Sequence, residues 1–119
     1  MNLFVYGTLR STYDNPMAQL LRQNARLIGH GYVPGRLFDL GWYPGATYES
    51  DSPFRVWGDV FALTNSTILT QLDDYEGDEY ARVDVPVQVC DTQVRCQMYI
   101  FLGPNSQQKL IRSGNYSGK

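Results

Sequence analysis

One glutamate occupies a position from which it can carry out acid–base chemistry. Residues 66–77 predict a helix in which Leu69, Leu72 and Glu76 form one inward stripe, at spacings of three and four residues. Glu76 lies in the last turn, where the helix dipole disfavours an anion, and both burial and the dipole raise the pKa of a carboxyl group. Gly77 is placed to end the helix. A carboxyl group with a pKa near neutrality suits a general acid or base, so Glu76 is the candidate catalytic residue.

The acidic run DDYEGDE around Glu76 has two other interpretations. Most glutamates near a helix end are solvated, and the run is compatible with an exposed face on which Asp73 and Asp74 point to solvent. The run can also hold a divalent cation and serve an interaction domain, through Asp73, Asp74, Asp78 and Glu79. It lacks the D-x-[DN]-x-[DN]-G spacing of a calcium loop, which argues against the second interpretation.

A second candidate is the loop that follows the first predicted strand. Residues 2–6 are apolar β-formers that predict a central strand, and Gly7, Thr8 and Leu9 come directly after it. Glycine lets the chain turn and lets a ligand approach the backbone, and successive amides at these positions can form an anion-binding concavity. A plain strand-to-turn exit explains the same residues and is more frequent. The loop is not a phosphate P-loop, because no G-x-x-x-x-G-K-[ST] is present.

Several aromatic residues and one arginine are weaker candidates. Tyr80 begins the strand after Glu76, so its hydroxyl can enter the same cleft, or the ring can be a rim residue of the core. Arg82 follows at strand spacing, and its simplest role is an ion pair. Tyr43-Pro44 and Tyr116 either wall a pocket or only cover the end of a barrel.

Two cysteines and one histidine offer little for a metal site or a nucleophilic triad. Cys90 and Cys96 are too few for a disulfide scaffold, and we expect two buried, reduced thiols beside a hairpin turn. His30 is remote from other metal ligands in sequence, whereas zinc needs about four. No histidine lies near Thr8 or Ser11 in sequence, so no serine-type triad is expected. We therefore expect no metal and no cofactor.

Composition limits the class of partner. The chain has 119 residues, a formal net charge of −2 and no basic block, so nothing indicates binding to nucleic acid or to an anionic membrane. No apolar run approaches the roughly 18 residues of a membrane span, and the N-terminus lacks the pattern of a secretory signal. We expect a cytoplasmic protein with a small-molecule ligand, of an oligomeric state that the sequence does not indicate.

Short strands and helices must position these residues. We expect strands over residues 2–6, 55–63, 80–90 and 93–102, a strand-like stretch over residues 25–40 that glycine and proline interrupt, and two helices. The helices cover residues 17–23 and 66–76, residues 41–45 form an aromatic loop, Asp91-Thr92 forms a hairpin turn, and the tail from Gly103 is irregular. About six strands and two helices predict one α+β domain over residues 1–119, a small closed or half-closed β-barrel with helices packed outside.

Taken in order, five short motifs resemble one family. They are V-Y-G-T-L-R, G-x-Y-P-G, V-x-G-D-V-F, L-D-D-Y-E-G-x-x-Y-x-R and I-x-S-G-x-Y, and the likeness runs from about Asn2 to Tyr116. The set resembles the γ-glutamylcyclotransferase-like family, which includes γ-glutamylamine cyclotransferases and AIG2-like proteins. The chain departs from the family at Asp59-Val60-Phe61, where Glu, then Val or Ile, then Tyr are usual, and the change is conservative.

The resemblance implies a fold, a reaction and a set of site residues. The fold is a mixed β-barrel flanked by helices, with a cavity at the end of strand one. The reaction releases 5-oxoproline and a free amine from a γ-glutamyl compound, without a cofactor. Glu76 is implied to be the acid/base and Tyr80 to lie near the cavity, while the γ-glutamyl group is held by the backbone of Tyr6, Gly7, Thr8 and Leu9. A non-catalytic binding or regulatory module on the same fold is the alternative, because fold does not fix function.

Overall fold

The computed structural model describes residues 1–11, 13–41, 43–104 and 109–116, in which eight strands and two helices are present. The strands are β1 (Asn2–Val5), β2 (Ala25–Pro34), β3 (Leu37–Asp39), β4 (Pro44–Ala46), β5 (Arg55–Leu63), β6 (Tyr80–Val89), β7 (Thr92–Phe101) and β8 (Lys109–Leu110). The helices are α1 (Pro16–Gln23) and α2 (Ile68–Glu76). No helix in these ranges is both long enough and apolar enough to cross a membrane.

Five of the strands close a mixed barrel in the order β1-β5-β2-β6-β7. Strand β1 runs antiparallel to β5 and closes the barrel by parallel pairing with β7. The remaining strands form a small second sheet in the order β4-β3-β8. The predicted α+β barrel with flanking helices is therefore confirmed.

Successive residues of β1 contribute to two separate hydrophobic clusters. Phe4 belongs to a cluster of strand residues that includes Val60 and Val87, whereas Leu3 packs in a second cluster with Leu21 of α1 and Leu72 of α2. Side chains alternate across a strand, so one face of β1 fills the barrel side and the other receives the helices. This places the C-terminal end of β1 beside the last turn of α2.

Helix α2 begins two residues later than expected and ends where expected. Its first residue is Ile68, whereas a cap at Asn65 or Ser66 would have started the helix earlier. Short turns occupy the residues in between, and the N–H and hydroxyl of Thr67 donate to Asn65 Oδ1. The helix ends at Glu76, and Gly77 follows with a φ of 83°, a conformation that favours glycine.

The sequence predicted too few strands. Strand β4 arises within the expected aromatic loop, of which Trp42 lies outside the described residues, and β8 arises in the tail that was expected to be irregular. Residues 105–108 and 117–119 of that tail also lie outside the described residues. Strands of two or three residues show no periodicity, and β4 and β8 form by pairing with β3.

The β6–β7 hairpin differs from the prediction by one residue. Val89 lies opposite Thr92, so the turn is Cys90-Asp91 rather than Asp91-Thr92, and Cys90 has a φ of 54°. Cys90 is exposed, whereas Cys96 is buried opposite Val85, and both thiols are free. The expectation of two buried thiols is therefore wrong for Cys90, because the turn places its side chain at the exposed tip.

Candidate active site

A cavity of about 340 Å³ opens where β1 ends, between the loop after β1, strand β4 and the last turn of α2. Its lining includes all six principal candidates that the sequence nominated for the site: Tyr6, Gly7, Thr8, Leu9, Glu76 and Tyr80. The lining also includes Tyr43 and Pro44, which agrees with the pocket-wall interpretation of these two residues. Five further lining residues were not nominated for the site: Phe4, Val5, Tyr75, Glu79 and Tyr99. The structure thus brings together residues that are up to 95 positions apart in the chain, from Phe4 to Tyr99.

Glu76 reaches this cavity from the C-terminal end of α2. Burial raises the pKa of its carboxyl group from 4.5 to about 7. Among the described residues, no hydrogen bond or ion pair reaches the carboxylate of Glu76. A half-buried carboxyl group in this state exchanges a proton near neutral pH, which is what a general acid/base requires.

Asp73, one turn earlier on α2, has the opposite surroundings. It accepts hydrogen bonds from Arg82 Nε at 2.9 Å and from the Tyr99 hydroxyl at 2.6 Å. The bond from Arg82 lowers the pKa of Asp73 most, and the Tyr99 bond adds to it against the effect of burial. Asp73 is therefore not simply solvated, whereas Asp74 is exposed as expected. The simple ion-pair role predicted for Arg82 is observed.

The acidic run does not form a cation site in the part of the chain that the structure describes. No group of three or more histidine, cysteine, aspartate or glutamate side chains there is arranged to hold a metal ion. Asp73, which would have to contribute, is instead bound to Arg82 and Tyr99.

The loop after β1 is a turn that is fastened to α1. The Arg10 N–H donates to the Gly7 carbonyl at 3.2 Å, and Asn15 Nδ2 donates to the Thr8 carbonyl at 2.7 Å. None of the turn, loop or side-chain hydrogen bonds found among the described residues uses the N–H groups of Gly7, Thr8 or Leu9. These three amides belong to residues that line the cavity, so they are available to an anionic group.

Gly7 is required because the loop comes close to β4. A Cβ atom at this position would lie 2.9 Å from Pro44 Cγ and 3.2 Å from Pro44 Cδ. A side chain there would push apart two walls of the cavity, so glycine at the end of β1 serves a close approach rather than only a turn.

Two tyrosine hydroxyls brace the cavity by holding strand β4 and its neighbour β7. The buried Tyr6 hydroxyl donates to the Tyr99 carbonyl at 2.8 Å and accepts from the Ala46 N–H at 3.2 Å. The Tyr80 hydroxyl donates to the Pro44 carbonyl at 2.7 Å. Burial raises the pKa of both tyrosines, so neither ionises near neutral pH. Their side chains therefore shape the site rather than exchange protons with it.

The mouth of the cavity carries polar groups, two of which, on Tyr75 and Glu79, the sequence did not nominate for this site. The Tyr43 hydroxyl donates to Glu79 Oε1 at 3.1 Å, and the hydroxyls of Thr8 and Tyr75 lie 3.4 Å apart. Tyr43, Tyr75 and Glu79 are all exposed. A substrate group that projects from the cavity would pass between these side chains.

Tyr116 does not belong to the described lining of the cavity, which argues against the first of its two interpretations, that it walls the pocket. It is buried and stacks on Tyr13, with ring centroids 6.5 Å apart. The tail is held against β5, because the Trp57 N–H donates to the Gly114 carbonyl at 2.8 Å. This attachment directs Tyr116 into the core.

Sequence reasoning missed a second buried carboxylate, Asp59 on β5. Its oxygens contact Ser11 and His30, so residues that are distant in sequence meet on one carboxylate. They do not form a serine-type triad, because the Ser11 hydroxyl donates to Asp59 rather than to the imidazole. The sequence signal was an aspartate inside an apolar strand, which needs a partner when buried.

Comparison with known proteins gives one family and a set of similar structures. The family model described as "Gamma-glutamyl cyclotransferase, AIG2-like" matches residues 3–118. An AIG2-like protein (GGACT) from Mus musculus superposes with a TM-score of 0.81 at 25% identity, covering 98% of this chain and 87% of its own. The protein ytfP from Escherichia coli gives a TM-score of 0.71 at 32% identity, with 98% of this chain and 96% of its own covered.

A third similar structure is considerably longer than this chain. YkqA from Bacillus subtilis superposes with a TM-score of 0.77 at 25% identity, and the match covers 97% of this chain but only 39% of YkqA. No curated protein sequence matches the chain significantly. The similarities therefore concern the whole of this chain and one part of some longer relatives.

Proposed function

The chain belongs to the family of AIG2-like γ-glutamyl cyclotransferases, and from this premise we propose that it is a cofactor-free cyclotransferase formed by one domain over residues 1–119. It releases 5-oxoproline and a free amine from a γ-glutamyl-amine or a related γ-glutamyl compound in the cytoplasm. The observation that carries the proposal is Glu76, a cavity-lining carboxyl group without a described partner and with a pKa of about 7. Glu76 is the general acid/base.

The reaction suits a site that has one proton-transfer group. The α-nitrogen of the substrate attacks its own γ-carbonyl carbon, a new C–N bond closes the five-membered ring, and the C–N bond to the leaving amine breaks. Glu76 accepts one proton from the α-ammonium group before the attack and returns it to the leaving nitrogen. The ring nitrogen then loses its second proton through Glu76 to the departing amine, which leaves as an ammonium ion. Nucleophile and electrophile belong to one substrate molecule. The protein therefore accelerates the reaction by holding the substrate in a folded conformation rather than by supplying a nucleophile.

The cavity walls support an orientation for the substrate. In this orientation the amides of Gly7, Thr8 and Leu9 hold the α-carboxylate. Two observations support this: the three residues line the cavity, and no described turn or side-chain bond occupies their amides. Glu76 lines the same space. The leaving amine then extends towards the mouth, beside Tyr43 and Glu79.

A substrate panel tests the proposal. The purified protein is incubated with γ-glutamyl alkylamines, γ-glutamyl amino acids and the γ-glutamyl isopeptide of lysine, and 5-oxoproline is measured. Product from at least one class, formed without added metal or cofactor, is the expected result. Binding of 5-oxoproline or glutamate in a titration, with no product from any panel member, would instead favour the binding or regulatory module.

A further inference from the structure

We propose that Asp59 is a positioning residue, which holds the loop after β1 in the shape that the cavity requires. The Asp59 cluster consists of Asp59 with Arg10, Ser11 and His30, and it is separate from the described lining of the cavity. Asp59 therefore acts through the loop rather than on the substrate. Its effect on catalysis rests on the proposed function, but its effect on the loop does not.

Asp59 lies beside the point where the loop begins. In the barrel it pairs with Val5, the last residue of β1, and with His30 on β2. Its side chain is fully buried, and it is the only charged residue among the described ones with that degree of burial. A buried charge is costly unless donors satisfy it, so the surroundings of Asp59 must supply several.

The donors come from the far end of the loop and from the neighbouring strand. Asp59 Oδ2 accepts the Ser11 N–H at 2.7 Å and the Ser11 hydroxyl at 2.9 Å. Oδ1 lies 2.6 Å from His30 Nδ1 and 3.5 Å from an Arg10 nitrogen. Burial raises the pKa of Asp59, but these contacts together lower it by a larger amount. The net pKa is therefore below its usual value, and the group stays ionised.

Asp59 thereby closes the loop at both of its ends. Its backbone pairs with Val5 immediately before the loop, and its side chain binds Ser11 immediately after it. The intervening residues include Gly7, Thr8 and Leu9, which line the cavity. One residue of β5 thus fixes the span of the segment that is expected to hold the substrate carboxylate.

Loss of this closure is expected to weaken binding more than turnover. In the free protein the loop would sample more conformations, and substrate binding would have to order it again. Once the substrate is bound, the reacting groups and Glu76 are placed as before. The Michaelis constant should therefore rise while kcat changes little, the reverse of what removal of the acid/base would cause.

The test compares Asp59→Asn with Glu49→Gln. Glu49 is a matched control, because it accepts hydrogen bonds from Thr47 and Arg36 and lies outside the described lining of the cavity. Amide hydrogen exchange of Arg10 and Ser11, the two amides of this loop that have a described acceptor, should accelerate at least about tenfold in Asp59→Asn, the effect of losing one charge-assisted hydrogen bond, and stay unchanged in Glu49→Gln. On an active γ-glutamyl substrate, KM should rise about tenfold and kcat should change by less than about threefold.

Three further cases decide between this proposal and a purely structural role. If Asp59→Asn lowers thermal stability but leaves both loop exchange and KM as in the parent protein, the proposal is wrong. If Asp59→Asn does not fold, Ser11→Ala and His30→Gln each remove one contact and should give the same changes in smaller amount, and an unchanged loop in both would overturn the proposal. If the parent protein is inactive on every substrate, the exchange measurement alone still decides the role of Asp59.

Discussion

Glu76 and Asp59 are two carboxyl groups that the same fold turns away from solvent, and their surroundings differ chiefly in the number of hydrogen-bond donors. Glu76 has no described donor, and burial raises its pKa to about 7. Asp59 is more completely buried, yet its donors hold its pKa below the usual value. Burial therefore does not determine protonation by itself. The donors convert a group that can exchange protons into one that can only hold other groups in place.

Asp73 shows the same rule within a single helix. It lies one turn before Glu76 on α2, but Arg82 and Tyr99 donate to it and lower its pKa. Because Asp73 and Glu76 lie on the same helix, neither the type of secondary structure nor the position in the barrel explains why their pKa values differ. The absence of described donors distinguishes the residue that we assign to chemistry.

The largest effect should follow replacement of the carboxyl group without donors. Glu76→Gln keeps the shape of the side chain and removes its proton exchange, so turnover should fall about 10²- to 10⁴-fold. Binding of 5-oxoproline should change little. Asp74→Asn is the matched control, because it neutralises an exposed carboxylate on the same helix and should leave turnover as it was.

The pH profile of the same pair tests the assignment from another side. The base form of Glu76 is the one that accepts the ammonium proton, so kcat/KM of the parent protein should rise as pH increases through about 7. Asp74→Asn should retain this limb, and Glu76→Gln should lose it from any residual activity. A variant with full activity and an unchanged profile would show that Glu76 is not the acid/base.

Replacement of Asp59, the carboxylate with several hydrogen-bond donors, should reduce the stability of the fold more than it reduces turnover. Asp59→Asn leaves Arg10 and His30 without their anion, and we expect a loss of about 3 kcal/mol in unfolding free energy at neutral pH. The pKa of Asp59 is lowered in the fold from 3.8, so its stabilisation is present above that pH and is lost as pH falls through the lower folded value. Denaturant unfolding of both proteins should converge in acid. A constant difference at all pH values would contradict the assigned donors.

Glu76 should show the opposite dependence of stability on pH. Its pKa rises from 4.5 unfolded to about 7 folded, so its contribution to stability is complete below 4.5 and is lost as pH rises to about 7. Between those values the parent protein should lose about 2 kcal/mol relative to Glu76→Gln, after allowance for solvent in the cavity. Chemical denaturation at several pH values measures the difference. Curves that stay parallel would mean that Glu76 titrates normally.

The contrast also separates what the sequence could predict from what it could not. Glu76 was found because helical periodicity is local, and Leu69, Leu72 and Glu76 repeat within eight residues. The long strands β5, β6 and β7 were found for the same reason. Asp59 was missed because its partners Ser11 and His30 are 48 and 29 residues away along the chain. Only the closed barrel brings them together, and no local pattern encodes that.

Turns and very short strands were equally beyond local patterns. Strands β4 and β8 exist through pairing with β3, and the first residue of α2 is set by the turns at Asn65 and Ser66. The five motifs that resemble the family, in contrast, predicted the cavity at the end of strand one. They did not predict which side chains lie at its mouth. Tyr75 and Glu79 entered only when the structure placed them there.

The smallest effect should come from Glu79, a carboxylate that solvent surrounds at the mouth of the cavity. Its described hydrogen-bond donor is the Tyr43 hydroxyl, at 3.1 Å. If the leaving amine passes beside it, Glu79→Gln should lower kcat/KM about two- to fivefold for the γ-glutamyl derivative of a diamine, whose far end is cationic, because exposed charge pairs contribute little. The derivative of a neutral monoamine of the same length should lose almost nothing.

Added salt should erase the difference between the two substrates, since exposed charges are screened. Equal losses on both substrates would place the effect in the contact with Tyr43, and Tyr43→Phe would then reproduce it. Glu79 is thus the third carboxyl group in the comparison. Because solvent surrounds it, its charge can only bias the choice of substrate, whereas we assign the shape of the loop to Asp59 and proton transfer to Glu76.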